Sequence, residues 1–283
     1  MNAAFTTLID PAGLAALIKS GRAPVILDAS FDLVDTEAGA RRYAAGHLPG
    51  SQYVHLDRDL ASTKTGRNGR HPLPDRAAFA QTAGRLGIGP QTQVVVLDGQ
   101  GGVYAARLWW MLRWLGHEAV AVLDGGTQAW KEAGGALTTE ATQGHPMPPY
   151  PARSPLASTV DSDGVARRPP DMALVDARAP ERFRGETEPL DPVAGHIPGA
   201  LNRFHKGNLD AAGRFKAASQ LQSEFKDLLG TRSAAEVIHS CGSGVTACHN
   251  LLAMEHAGLA GSRLYPGSWS EWCSDPGRPV ATG

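Results

Sequence analysis

A chain of 283 residues, 42% apolar and 19% charged, is long enough for two domains with separate cores and has the balance of a globular protein, not a disordered or fibrous one. Its 27 basic and 28 acidic residues leave a formal charge of −1, no footprint for nucleic acid, and no apolar run approaches the roughly 18 residues a membrane-spanning helix requires. Cys241, Cys248 and Cys273 are an odd number without disulfide or metal-ligand spacing, and the opening MNAAFTTLIDPAG lacks a basic leader and a long apolar core, so the expected compartment is reducing, the cytoplasm by default.

Taken in order, the first half alternates short β-branched runs with helical spacing. Strands are expected over 25–28, 94–97 and 120–123, and helices over 11–20, 77–86, 104–115 and 127–133. The stretch 138–155 collects Pro146, Pro148, Pro149, Pro151 and Pro155 without any period and reads as an extended linker. The second half repeats the alternation, with strands over 173–175, 236–239 and 263–265 and a helix opening at Thr246. Such alternation argues an α/β fold with mainly parallel sheets.

The halves echo one another. Val25-Ile-Leu-Asp28 is answered by Ala173-Leu-Val-Asp176, Gly46-His-Leu-Pro-Gly by Gly195-His-Ile-Pro-Gly, Gly102-Val-Tyr-Ala105 by Gly244-Val-Thr-Ala247, and Trp130 by Trp272. The last two pairs are 142 residues apart, the histidines His47 and His196 149 apart, so the first half carries about seven extra residues, placed within 61–74. Because His47 and His196 recur in both halves, they read as turn punctuation, not chemistry.

Within 236–258 a strand ends at Cys241, Gly242-Ser243-Gly244 follows, and a helix begins. Free cysteine is among the most buried residue types, but packing does not require a Gly-Ser-Gly. Glycines let backbone N–H groups turn inward, and the start of a helix favours an anion such as a thiolate. Cys241 is therefore the candidate nucleophile. Subtracting 142 from 241 gives Gly99, so the first half keeps the loop without its thiol and is expected to form a wall of the site. Cys248, two helical turns on, is expected to pack in the core, and Cys273 to be exposed.

CGSGVTA at 241–247, the paired GH-x-PG turns, DGG-x(3)-W at 124–130, GSWSEW at 267–272 and DARAPERFRGETEPLDPVAGHIPGA from Asp176 together resemble the two-domain rhodanese sulfurtransferases over nearly the whole chain, and CGSGVT resembles the 3-mercaptopyruvate branch. The resemblance implies two tandem rhodanese-like domains, each a mainly parallel sheet flanked by helices: an inert one over 1–137, the linker 138–155 and a catalytic one over 156–283. It implies a persulfide on Cys241, cradled by Gly242, Gly244, Val245, Thr246 and Ala247, and Arg182 holding the donor carboxylate. It further implies that Ser243, His71 and Asp59 form a proton relay across the two domains. The sequence departs from the branch where Leu190 follows Glu188-Pro189 in place of a second arginine, with Arg184 or Lys206 as the candidates to compensate.

The neutral loop Gly242–Thr246 suits a monoanionic donor, 3-mercaptopyruvate, better than dianionic thiosulfate, which remains the alternative donor. The acceptor would be cyanide, a small thiol or a thioredoxin-like dithiol, with no metal or organic cofactor. A cysteine phosphatase needs an arginine six residues after its nucleophile, and position 247 is alanine. A persulfide carrier without turnover is the non-enzymatic alternative.

Overall fold

The computed structural model describes residues 4–21 and 23–283; residues 1–3, at the start of the first expected domain, and residue 22 lie outside the described residues. Two sheets organise the chain, and every pairing in both is parallel. The first contains β1 (Leu8–Ile9), β2 (Val25–Asp28), β3 (Ser51–Tyr53), β4 (Val94–Leu97) and β5 (Val120–Leu123) in the order β1-β5-β4-β2-β3. The second contains β6 (Ala173–Asp176), β7 (Ala200–Asn202), β8 (Val237–Ser240) and β9 (Arg263–Leu264) in the order β7-β6-β8-β9.

Strands β4, β5, β6 and β8 are buried along their whole length. A parallel sheet covered by helices on both faces demands such continuous apolar runs, which is why these strands were legible. The strands that escaped notice, β1, β3 and β7, are edge strands of two or three residues. The helix Ala218–Leu229 also went unread, although Leu221, Phe225 and Leu229 mark one buried face at a spacing of four.

Ile9, Leu14, Ile26, Leu48, Val95, Leu97, Ala121 and Leu123 form the core under the first sheet. In the second half, Leu174, Ile197, Ile238, Tyr265, Trp269 and Trp272 pack together, and Cys273 joins them at 8% exposure. The exposed position expected for Cys273 is thus corrected: the residue closes the short helix Ser268–Trp272, whose apolar face carries it inward. Burial pushes its thiol up to about 11, so it is held in the neutral form. Cys248 is fully buried, its S–H donating to the Gly244 carbonyl at 3.3 Å.

The two GH-x-PG turns are built alike. His47 stacks on Tyr43 at 3.9 Å and His196 on Phe183 at 3.8 Å, and each Nδ1 lies 2.8 Å from the carbonyl of the residue it stacks on. Both rings pin a turn to the helix before it, a structural role repeated in each half.

By internal contacts the chain forms two compact units, and neither is one continuous stretch. The first gathers residues 1–61, 74–156 and 211–215, the second 62–73, 157–210 and 216–283. The proline-rich stretch is tied to the first unit by N–H groups of Met147, Tyr150, Arg153 and Leu156, which donate to the carbonyls of Gly84, Ala80, Leu115 and Arg113. Residues 62–73, the segment within which the extra residues of the first half are placed, belong to the second unit.

Candidate active site

Strand β8 delivers the chain to Cys241 and the helix Thr246–His256 carries it away. Between them the backbone must double back. Gly244 takes φ +75°, and a Cβ there would stand 2.3 Å from the Pro266 carbonyl oxygen, so only glycine fits. The carbonyls of Cys241 and Gly242 accept hydrogen bonds from the N–H groups of Trp269 and Ser270, both at 2.9 Å. In a trans peptide the N–H points opposite to the C=O, so these two bonds turn the N–H groups of Gly242 and Ser243 the other way, into the loop. The N–H groups of Gly242, Ser243 and Val245 have no protein acceptor among the described residues. Donors gathered in this manner make an anion-binding concavity.

The corresponding loop of the first unit shows what such a ring accepts. The buried carboxylate of Asp98 takes the N–H groups of Gln100 (2.8 Å), Gly102 (2.9 Å), Tyr104 (2.8 Å) and Ala105 (3.0 Å). By the 142-residue offset these match Gly242, Gly244, Thr246 and Ala247, Gly99 matches Cys241, and Asp98 matches Ser240.

Cys241 is 2% exposed and counts among the buried residues of the second half. Its own N–H donates to the Ser268 hydroxyl at 3.1 Å. The Ser243 hydroxyl lies 2.7 Å from His71 Nδ1, both side chains buried within the second unit. The structure thus brings the serine and the histidine within hydrogen-bond distance. Asp59 lies in the first unit, where Arg85 holds one oxygen at 2.6 Å and the His55 N–H the other at 2.7 Å.

Three arginines stand around the loop. Arg178, its side chain 1% exposed, forks onto Asp176, reaches Glu188 at 3.4 Å and lies over Trp269 at 4.9 Å. Burial works against its charge, but Asp176 and Glu188, together with the field of Cys241, outweigh it and hold its pKa above the usual arginine value. Arg182 Nε and Nη2 are bound to Glu188, and Arg182 Nη2 is 3.6 Å from Asp191. Burial would raise the Glu188 carboxyl, yet the Arg182 hydrogen bonds and the N–H groups of Leu190 and Asp191 keep it below the usual range.

Arg70 pairs with Asp191 through Nη1. A Cβ built on Gly242 would stand 2.7 Å from Arg70 Nη2 and 3.7 Å from both terminal nitrogens of Arg182. Arg70 Nη2 and Arg182 Nη1 have no acceptor among the described residues, so two guanidinium groups present unused donors to one spot beside the cysteine. Arg184 is exposed and occupied by Glu186, and Lys206 is exposed. The second guanidinium beside Gly242, next to that of Arg182, belongs to Arg70. The signal was present as a basic residue directly before His71 in the extra segment, but nothing local says where that segment packs.

A model of the Rhodanese-like domain matches the chain twice, over residues 10–133 and 162–275. The chain belongs to the rhodanese family. Among curated relatives, a Pseudomonas aeruginosa protein named a probable 3-mercaptopyruvate sulfurtransferase is 47% identical over 92% of this chain and 92% of its own. The thiosulfate sulfurtransferase of Rattus norvegicus is 34% identical over 95% of this chain and 92% of its own. Among solved structures, the 3-mercaptopyruvate sulfotransferase of Escherichia coli superposes with a TM-score of 0.78 at 30% identity, covering 94% of this chain and 99% of that one. The rhodanese relatives thus carry names from both donor classes, and the two tandem rhodanese domains are each a parallel sheet flanked by helices.

Proposed function

We propose that the protein is a sulfurtransferase that takes sulfur from 3-mercaptopyruvate onto Cys241 and passes it to a thiophilic acceptor. One observation carries this reading: a cysteine at the rim of an inward-turned N–H ring, with two guanidinium groups offering free donors beside it. Arg70 and Arg182 form a fork for the donor carboxylate, each charge-assisted hydrogen bond contributing about 1.5–3 kcal/mol. Their partners Glu188 and Asp191 offset part of that positive charge, which favours a monoanion over dianionic thiosulfate.

In the first step the Cys241 thiolate attacks the donor sulfur. The C–S bond breaks with its electron pair on carbon, leaving Cys241–S–SH and the enolate of pyruvate. The proton of the outer sulfur passes by way of Ser243 and His71 to the enolate carbon, giving pyruvate and a persulfide anion held by the N–H ring. Asp59 is left out of this relay because Arg85 and the His55 N–H occupy its carboxylate. In the second step cyanide, a small thiol or a thioredoxin-like dithiol attacks the outer sulfur, and Cys241 departs as thiolate. The free thiols suit a reducing compartment such as the cytoplasm, and no helix among the described residues is long and apolar enough to cross a membrane.

Steady-state rates with 3-mercaptopyruvate and thiosulfate side by side test the donor; kcat/KM should favour 3-mercaptopyruvate, and a clear preference for thiosulfate would reverse the assignment. Cys241→Ser should abolish turnover with the fold intact. Ser243→Ala should lower kcat about 10–100-fold. Mass analysis should find one added sulfur on Cys241 that is discharged over many turnovers, whereas a stable sulfur without turnover would make the protein a carrier.

A further inference from the structure

Ser268 is the one non-glycine residue among those described with a left-handed backbone, at φ +53°, and it is completely buried. Such a conformation is unfavourable for serine and persists only where the surroundings hold it. Here its hydroxyl accepts the Cys241 N–H at 3.1 Å and donates to the Tyr265 carbonyl at 2.9 Å. The next two residues, Trp269 and Ser270, hold the carbonyls of Cys241 and Gly242. One turn therefore grips three consecutive backbone groups of the loop.

The first unit shows the same turn without the serine. Gly126, 142 residues earlier, has φ +54°, and a Cβ there would meet the Asp98 carbonyl oxygen at 1.9 Å. Where the loop carries no thiol, the left-handed position is filled by the residue that adopts it without strain. Where the loop carries Cys241, a strained serine takes its place and uses its hydroxyl on that cysteine.

We propose that Ser268 is a positioning residue for the sulfur transfer: its hydroxyl fixes the Cys241 peptide so that the thiol faces the N–H ring, and the strained backbone is retained for that bond. This goes beyond the choice of donor and rests only on Cys241 being the nucleophile. The charged or titratable groups around the loop and its turn, Arg70, Arg178, Arg182 and His71 with the carboxylates of Asp176, Glu188, Asp191 and Glu271, are untouched by the substitutions that test it.

Ser268→Gly relieves the strain and removes the hydroxyl; Ser268→Ala removes the hydroxyl and keeps the strain. Both should lower kcat about tenfold or more with little change in KM, and both should slow Cys241 alkylation by iodoacetamide and move its pH midpoint upward. Ser268→Gly should melt at or above the temperature of Ser268→Ala. A Ser268→Gly protein with wild-type kcat and an unchanged alkylation profile would show that the serine only fills space, and would overturn the proposal. Alkylation needs no sulfur donor, so the result stands apart from the identity of the donor. If wild-type Cys241 resists alkylation across the pH range while turnover persists, the nucleophile is misassigned and this inference falls with it.

Discussion

The two loops of this chain follow equivalent strands of the two sheets and differ in backbone, Gly101 being left-handed at φ +74° where Ser243 is not, and in what stands beside their N–H groups. In the first unit the anion is built in, because Asp98 threads its carboxylate into the ring from the strand end and saturates four N–H groups. In the second unit Ser240 stands at that strand position, and the next residue brings a thiol instead. The first half therefore keeps a ring of N–H groups and fills it with its own carboxylate. A ring of converging N–H groups is costly without a negative partner, and the first half meets that cost with a buried carboxylate where the second has Ser240 followed by a thiol.

The largest break in this symmetry should come from Asp98→Ala, which orphans three buried donors and a half-buried one. A loss of about 3–5 kcal/mol in chemical denaturation is expected, with sulfate recovering part of it by entering the vacated ring. If added sulfate stabilises the variant no more than the wild type, the ring is not an anion site. Next is Gly244→Ala, which combines a left-handed φ with a 2.3 Å approach to the Pro266 oxygen and should cost about 2–3 kcal/mol. Gly102→Ala, facing the Phe215 ring edge at 3.3 Å, should cost less, and melting the two variants in parallel checks the order.

Acid should separate the units as well. Burial depresses His205 to about 4 and His239 to about 3, both in the second unit. Between those values and the unfolded value of about 6.5, the unfolded chain binds more protons, so the stabilisation is complete above pH 6.5 and is lost as pH falls. About 2 kcal/mol per histidine should be gone at pH 5, and hydrogen exchange followed by mass spectrometry should show the second sheet opening more than the first, where burial lowers only His117 in the same direction among the resolved shifts. Smallest of all is Arg184→Ala: its ion pair with Glu186 is exposed, so neither KM nor stability should move measurably.

How far this comparison could be read in advance depends on the range of the forces involved. Central strands announce themselves because burial on both faces leaves Val94-Val-Val-Leu97 no polar position, and the repeat offset located Gly99 opposite Cys241. The same offset concealed Asp98, since the compensating anion comes from the neighbouring position. Edge strands of two or three residues have too few side chains to show a period. Arg70 and Ser268 were missed for a different reason: one acts through contacts made 121 and 200 residues away, the other through a backbone angle that no side-chain pattern encodes.

The partners of residues 62–73 have a further consequence for biosynthesis. His71 leaves the ribosome 172 residues before Ser243, and Arg70 emerges 200 residues before the Ser270 that anchors it. The first sheet has all its strands long before then, but the segment meant for the second must wait until residues 243 and 270 have been made. A nascent chain stopped before residue 243 carries a histidine with no serine to meet, and a fragment starting at residue 157 carries the serine without the histidine, so the pair forms only in a chain that holds both segments.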